Sequence, residues 1–144
     1  MKSKGVGAAA FIVDDEGRVL LVKHSYGRLN WELPGGGAEA NESPVETALR
    51  EVREETGLIV TARLMTGMYY APDNDSVHFV FRCERLASDA IPRADLAEIS
   101  ECRFWPPDAL PRPISDWTVR RIEDALSGNR DGLPIEIGAR VWLE

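Results

Sequence analysis

Apolar and polar positions alternate along this chain with a period that changes several times. Residues 5–13 are an apolar run, and residues 18–23 are a second. Both read as strands, with Asp14-Asp15-Glu16-Gly17 between them as a short hairpin loop. The period then lengthens. Val45, Ala48, Leu49 and Val52 recur at i, i+3, i+4 and i+7, which makes one apolar face of a helix. Its ends are marked. Ser43 can cap it, Pro44 suits the first helical position, Glu46 completes a capping box and Gly57 stops it.

Period two returns after the helix. Residues 58–70 are rich in strand formers, and Pro72-Asp73-Asn74-Asp75 reads as a loop or hairpin turn. Residues 76–84 alternate, with Val77, Phe79 and Phe81 on one face and His78, Val80 and Arg82 on the other. Residues 91–99 form a polar connector. Residues 115–126 predict a second helix, capped by Ser115 or Asp116, with Trp117, Arg121 and Ile122 near helical spacing. Residues 128–134 read as a linker, and 135–143 as a short terminal strand or an interaction tail. There is no internal repeat or low-complexity tract. This order of elements predicts an α/β class.

One stretch, residues 33–58, carries the chemistry. Gly35, Gly36 and Gly37 follow Pro34, and such a run predicts positive φ angles and close approach of backbone to a ligand. On the helix that follows, Glu51, Glu54 and Glu55 share one sector beside the apolar face. Like charges about 6 Å apart repel by roughly 2–3 kcal/mol per pair at an effective dielectric near 20. A divalent cation removes that repulsion. Hard oxygen ligands select Mg²⁺, with Mn²⁺ as the alternative, and Mg²⁺ usually bridges to substrate phosphates. Arg50 can reach back to Glu42 and tie the glycine loop to the helix.

Composition narrows the partners. The chain has 144 residues, 44% of them hydrophobic, enough for one domain over 1–144 with its own core and little for a second. The net charge of −7 disfavours a surface for DNA or long RNA. A phosphorylated small molecule remains compatible, with metals and a few arginines supplying positive charge. Cys83 and Cys102 lack metal-type spacing and read as reduced thiols. The first apolar run is too short to span a membrane and no cleavage signature follows, so a cytoplasmic protein without a membrane partner is expected. A homodimer is left open.

The stretch fits Gly-x5-Glu-x7-Arg-Glu-U-x-Glu-Glu-x-Gly-U, where U is bulky and aliphatic. The fixed positions are Gly36, Glu42, Arg50, Glu51, Val52, Glu54, Glu55, Gly57 and Leu58. This resembles the Nudix box of the Nudix hydrolases, here residues 36–58. Asn41 stands where many members have glycine, and asparagine tolerates the left-handed conformation. The resemblance covers residues 5 to about 126 and implies an α/β/α sandwich with a mixed β-sheet.

It also implies roles. Glu51, Glu54 and Glu55 would hold Mg²⁺, with the Gly35 carbonyl as a further ligand, and Arg50 would support them. Gly36 and Gly37 would meet the substrate, and Trp31 would pack behind the loop. The general base varies within the family, so Glu54, Glu51 and Glu98 all stay open; Glu98 is equally a candidate for an extra metal ligand, with Glu101 as its fallback. Residues 98–105 resemble the family's loop acid and aromatic-ended strand, and 106–111 the short helical turn after it. Arg28 is a candidate phosphate contact, whereas His24 and His78 read as structural. The implied substrates are small nucleotides, a nucleoside diphosphate linked to X. Pro72, about fifteen residues beyond Gly57, resembles the spacing in ADP-ribose pyrophosphatases. ADP-ribose or a nucleotide sugar is therefore favoured, then nucleoside triphosphates. Non-catalytic nucleotide sensors of this fold tend to lose metal ligands, and this chain keeps all three glutamates. An RNA-cap hydrolase is disfavoured by the acidic balance.

Overall fold

The computed structural model describes residues 3–128 and 134–144. Ten strands and two helices occur among them: β1 (Gly5–Phe11), β2 (Val19–His24), β3 (Trp31–Glu32), β4 (Gly35–Gly37), α1 (Pro44–Thr56), β5 (Val60–Ala71), β6 (Ser76–Arg85), β7 (Ile99–Trp105), β8 (Ile114–Ser115), α2 (Asp116–Ser127), β9 (Ile135–Glu136) and β10 (Trp142–Leu143). They form two five-stranded sheets, in the orders β4-β1-β6-β5-β9 and β10-β8-β3-β2-β7. Each sheet is mixed. β1 runs parallel to β6 and antiparallel to β4, and β3 runs parallel to β8 and antiparallel to β2.

The first apolar run is continuous because β1 is covered on both faces. Ala8, Ala10 and Ile12 join Leu20, Ala48 and Val52 in a core beneath α1. Ala9 and Phe11 point the other way and join Leu21, Tyr69, Val80, Trp117 and Ile122 in a core beneath α2. The two helices therefore cover opposite faces, giving an α/β/α sandwich. Each fully buried Leu, Ile or Phe contributes about 2 kcal/mol.

Local signals act as the residue types dictate. Ser43 Oγ accepts from the Glu46 amide at 3.1 Å and Glu46 Oε1 accepts from the Ser43 amide at 3.0 Å, a closed capping box. Gly57 ends α1 at φ 75°, and Asn41 adopts φ 63°. Ser115 caps α2 by accepting from the Trp117 amide at 3.1 Å. Asp14 closes the first hairpin by accepting from the amides of Glu16 and Arg18 at 3.0 and 2.9 Å.

The hairpin turn expected at 72–75 is present, Pro72–Asn74 forming a single 3₁₀ turn with Asp75 left-handed after it, between antiparallel β5 and β6. Two readings change. Gly35–Gly37 is a strand and none of the three has positive φ; these glycines are required for close packing, described below. The tail supplies two strands, β9 beside β5 and β10 beside β8, one in each sheet. Residues 106–111 close one turn, Ala109 N–H to the Pro106 carbonyl at 3.0 Å. The linker expected at 128–134 lies mostly outside the described residues.

Candidate active site

A cleft of about 480 Å³ opens between the ends of β1, β4 and β6 and the inner edge of α1. β4 forms its lip. β4 lies so close to β1 that a side chain at Gly35 would put Cβ 2.4 Å from the Ala8 carbonyl oxygen and 2.6 Å from Ala9 Cα. At Gly36 the Cβ would sit 2.8 Å from the carboxyl carbon of Glu51. Glycine is needed here because backbone and carboxylate occupy the space, not because of an unusual φ.

The acids divide according to their angle around α1. Glu51 is half-buried and lines the cleft. Glu55 lines it too, is 6% exposed, and accepts from the Gly35 amide at 2.8 Å through Oε1. Glu54 turns outward: its side chain is 52% exposed and it is not part of the lining. Burial raises the Glu55 carboxyl to about 8, against the opposing Gly35 hydrogen bond, with Glu51, Asp95 and Glu98 adding to the rise. Glu51 is raised as well, by burial first and against the pull of Arg50.

Arg50 is the hub of the acids. Nε and Nη2 donate to the two oxygens of Glu42 at 2.7 and 3.0 Å, a bidentate pair. Nη1 donates to Glu51 at 2.8 Å and to Glu54 at 3.0 Å, and Nη2 also reaches the Gly37 carbonyl at 3.1 Å. One guanidinium thus ties the lip strand, the loop before α1 and two turns of the helix. It holds the Glu42 carboxyl down at about 2, helped by the Glu39 amide and Thr47.

Glu98 lies on the loop before β7, is exposed and lines the same cleft. Arg28 is elsewhere: it pairs with Glu144 at 2.9 Å and covers the Trp142 ring at 4.9 Å, outside the lining. Trp31 is buried behind the lip, edge-on to Trp105 at 5.1 Å.

Several lining residues carried no strong sequence signal. His24 and Tyr26 stack in parallel, ring centroids 4.9 Å apart, at one edge. His78, Arg121 and Arg140 line the opposite part. His78 Nε2 lies 2.8 Å from Ser76 Oγ, and burial lowers its pKa to about 4, with Arg121 and Arg140 lowering it further. The available hint was Arg121 itself, an arginine on the apolar stripe of α2 between Trp117 and Ile122.

The donor set suits a hard divalent ion, since oxygen atoms of Glu51, Glu54 and Glu55 and the backbone of the lip lie on adjoining turns and strand. Two closely spaced, partly desolvated carboxylates are costly without a cation. Among the described residues, no three acidic, histidine or cysteine side chains converge at metal-binding distance in the arrangement seen here. Arg50 instead occupies Glu51 and Glu54, and the Gly35 amide occupies Glu55.

Comparison with known proteins decides the family, because the model described as the NUDIX domain matches residues 3–125. The chain belongs to the Nudix family. A MutT-like protein of Streptomyces ambofaciens is 33% identical over 123 residues, covering 85% of this chain and 77% of that one. A Bacillus subtilis (strain 168) protein bearing the provisional name 8-oxo-dGTP diphosphatase is 30% identical over 125 residues, covering 87% and 82%. The crystal structure of a UDP-X diphosphatase superposes with a TM-score of 0.75 at 26% identity, covering 94% of this chain and 68% of that one. As a Nudix hydrolase the protein acts on pyrophosphate bonds. No helix among the described residues is long and apolar enough to cross a membrane.

Proposed function

We propose that this Nudix hydrolase cleaves, with Mg²⁺, the diphosphate of a nucleoside diphosphate linked to X, releasing a nucleoside monophosphate and phospho-X. The observation that carries the reading is the packing of Gly36 against Glu51 and the hydrogen bond from Gly35 to Glu55. It sets a bare backbone lip directly against a carboxylate wall, a surface suited to a diphosphate and its cations. Glu51, Glu54 and Glu55, with the Gly35 carbonyl, would hold the metal, and Mn²⁺ would serve in its place. When bound, the ion neutralises the diphosphate and acidifies a water.

The chain's own residues do the rest. Gly36 and Gly37 admit the diphosphate close to the backbone. Arg50 keeps Glu51 and the loop in register. Glu98, facing the cleft and free of ion pairs among the described residues, is the favoured proton acceptor, ahead of Glu51 and Glu54. Phosphoryl-type transfer of this sort relies on positioning and charge neutralisation. ADP-ribose and nucleotide sugars are the preferred substrates, supported by the UDP-X diphosphatase likeness. The name of the Bacillus subtilis relative favours a second reading, a nucleoside triphosphate pyrophosphohydrolase. The protein works in the cytoplasm, as a monomer or a homodimer.

The test is a screen of nucleoside diphosphate derivatives and triphosphates with Mg²⁺ and Mn²⁺, products identified by mass. Monophosphate plus phospho-X from the diphosphate derivatives supports the first reading. Pyrophosphate release from triphosphates alone supports the second.

A further inference from the structure

The half of the cleft away from the carboxylate wall is basic, and its floor is unusual. Arg121 is 6% exposed, and its Nε and Nη2 are buried with no hydrogen-bond partner. It makes no ion pair among the described residues. Its guanidinium lies over the Tyr69 and Trp117 rings at 5.5 and 6.0 Å, which partly offsets the charge but accepts no N–H in the plane. A buried guanidinium without an acceptor is strongly unfavourable unless something completes it. Arg140 stands beside it, its guanidinium 4.1 Å from the Trp117 ring, also lining the cleft. The nearest countercharge, Glu32, reaches Arg140 only at 4.0 Å and is engaged by Thr118 Oγ1 at 2.6 Å. Two cations against one carboxylate leave this end with an excess of one positive charge. Burial holds His78 neutral, so it adds no charge there.

We propose that Arg121 and Arg140 form an oxyanion subsite, which selects substrates carrying a phosphate or carboxylate in addition to the diphosphate being cleaved. The inference rests on the diphosphate reading for the substrate's other half, but not for the subsite itself. The extra oxyanion supplies the acceptors that Arg121 lacks and cancels the excess charge. It can belong to the nucleoside or to the group X.

The experiment has two arms. In the first, kcat and KM are measured for two matched pairs: UDP-glucuronate against UDP-glucose, with the oxyanion on X, and ADP-ribose 2′-phosphate against ADP-ribose, with the oxyanion on the nucleoside. The wild type prefers the anionic member of at least one pair. Arg121→Met lowers kcat/KM for that member about 10–100-fold, mostly through KM, and changes the member that lacks the extra oxyanion by less than about threefold. In the second arm, sulfate is titrated without metal and followed on the His78 ring signals by NMR. Sulfate saturates the wild type and not Arg121→Met. Arg121→Met melts no lower than the wild type, because it removes an uncompensated buried charge. If that variant does not fold, Arg121→Lys and Arg140→Gln are read in the same two arms, and each weakens the anion preference and sulfate binding. If no diphosphate derivative is cleaved but Arg121-dependent sulfate binding persists, the subsite stands and the proposed reaction falls. Equal treatment of both members of each pair by the wild type, or sulfate binding unchanged in the variants, overturns the subsite.

Discussion

The amide of Gly35 donates to the carboxylate of Glu55 across 2.8 Å, joining residues twenty apart in the chain. That bond fixes the lip strand against the helix, and the pair gives the first expectation. A methyl group at Gly35 would collide with the backbone of Ala8 and Ala9, which cannot yield as a side chain can. Gly35→Ala should destabilise the fold by about 1–3 kcal/mol, read as a lower Tm. Gly36→Ala puts its Cβ nearest to three atoms that all belong to the Glu51 carboxyl group, a side-chain end rather than backbone. It should keep most of the stability and lose activity as Glu51 is displaced, and equal Tm losses for both variants would contradict the packing argument.

A second expectation concerns pH. Glu55 is raised in the folded protein, to about 8 from about 4.5. Between these values the folded state holds a proton that the unfolded chain has lost, so stability of the metal-free protein is greatest below about 4.5 as far as this group is concerned. It then declines as pH rises through about 8. The Tm of metal-free protein should fall over that window more than the Tm of Glu55→Gln, and saturating Mg²⁺ should flatten the fall. Identical pH profiles for wild type and variant would contradict the assignment.

The helix cap, the box helix and the main strands were legible because their signals are local. Ser43, Pro44, Glu46 and Gly57 each satisfy or terminate backbone groups within a turn of themselves. The Arg50–Glu42 pair was legible because the capped helix runs straight back to the loop that holds Glu42, eight residues earlier. The division of the acids was not. Glu54 lies only one residue before Glu55 and differs from it by about 100° of helix rotation. Which of them faces a cleft depends on where β4 docks. The run Gly35–Gly37 predicts a loop with positive φ, because three glycines say only that side chains are excluded. The basic end was hidden because Arg121 on α2, Arg140 in the tail and His78 on β6 are brought together only by the tertiary fold. Arg28, close to the box in sequence, is drawn away by Glu144 and Trp142 near the C-terminus.

The third expectation follows from Arg50. It holds Glu42, Glu51, Glu54 and the Gly37 carbonyl in one network, so its loss frees the lip and leaves several carboxylates uncompensated. Arg50→Met should cut kcat/KM about 100-fold or more by misplacing the acids. Arg50→Lys should recover little, because an ammonium cannot make the bidentate pair to Glu42. Full rescue by lysine would show that charge alone suffices.

Glu98 gives the fourth. On the proposed role of Glu98 as proton acceptor, its replacement by glutamine should lower kcat while leaving metal affinity near the wild-type value. Glu101→Gln should do neither, since Glu101 lies outside the cleft lining. A drop in metal affinity matching the drop in rate would make Glu98 a ligand instead.

The most direct measurement is Mn²⁺ binding followed by electron paramagnetic resonance, for the wild type and for Glu51→Gln, Glu54→Gln and Glu55→Gln, with and without ADP-ribose. Saturable binding in the wild type, tightened by the nucleotide and weakened about tenfold or more in each variant, is the predicted result. Equal Mn²⁺ binding in the wild type and all three variants would contradict a metal centre on this helix.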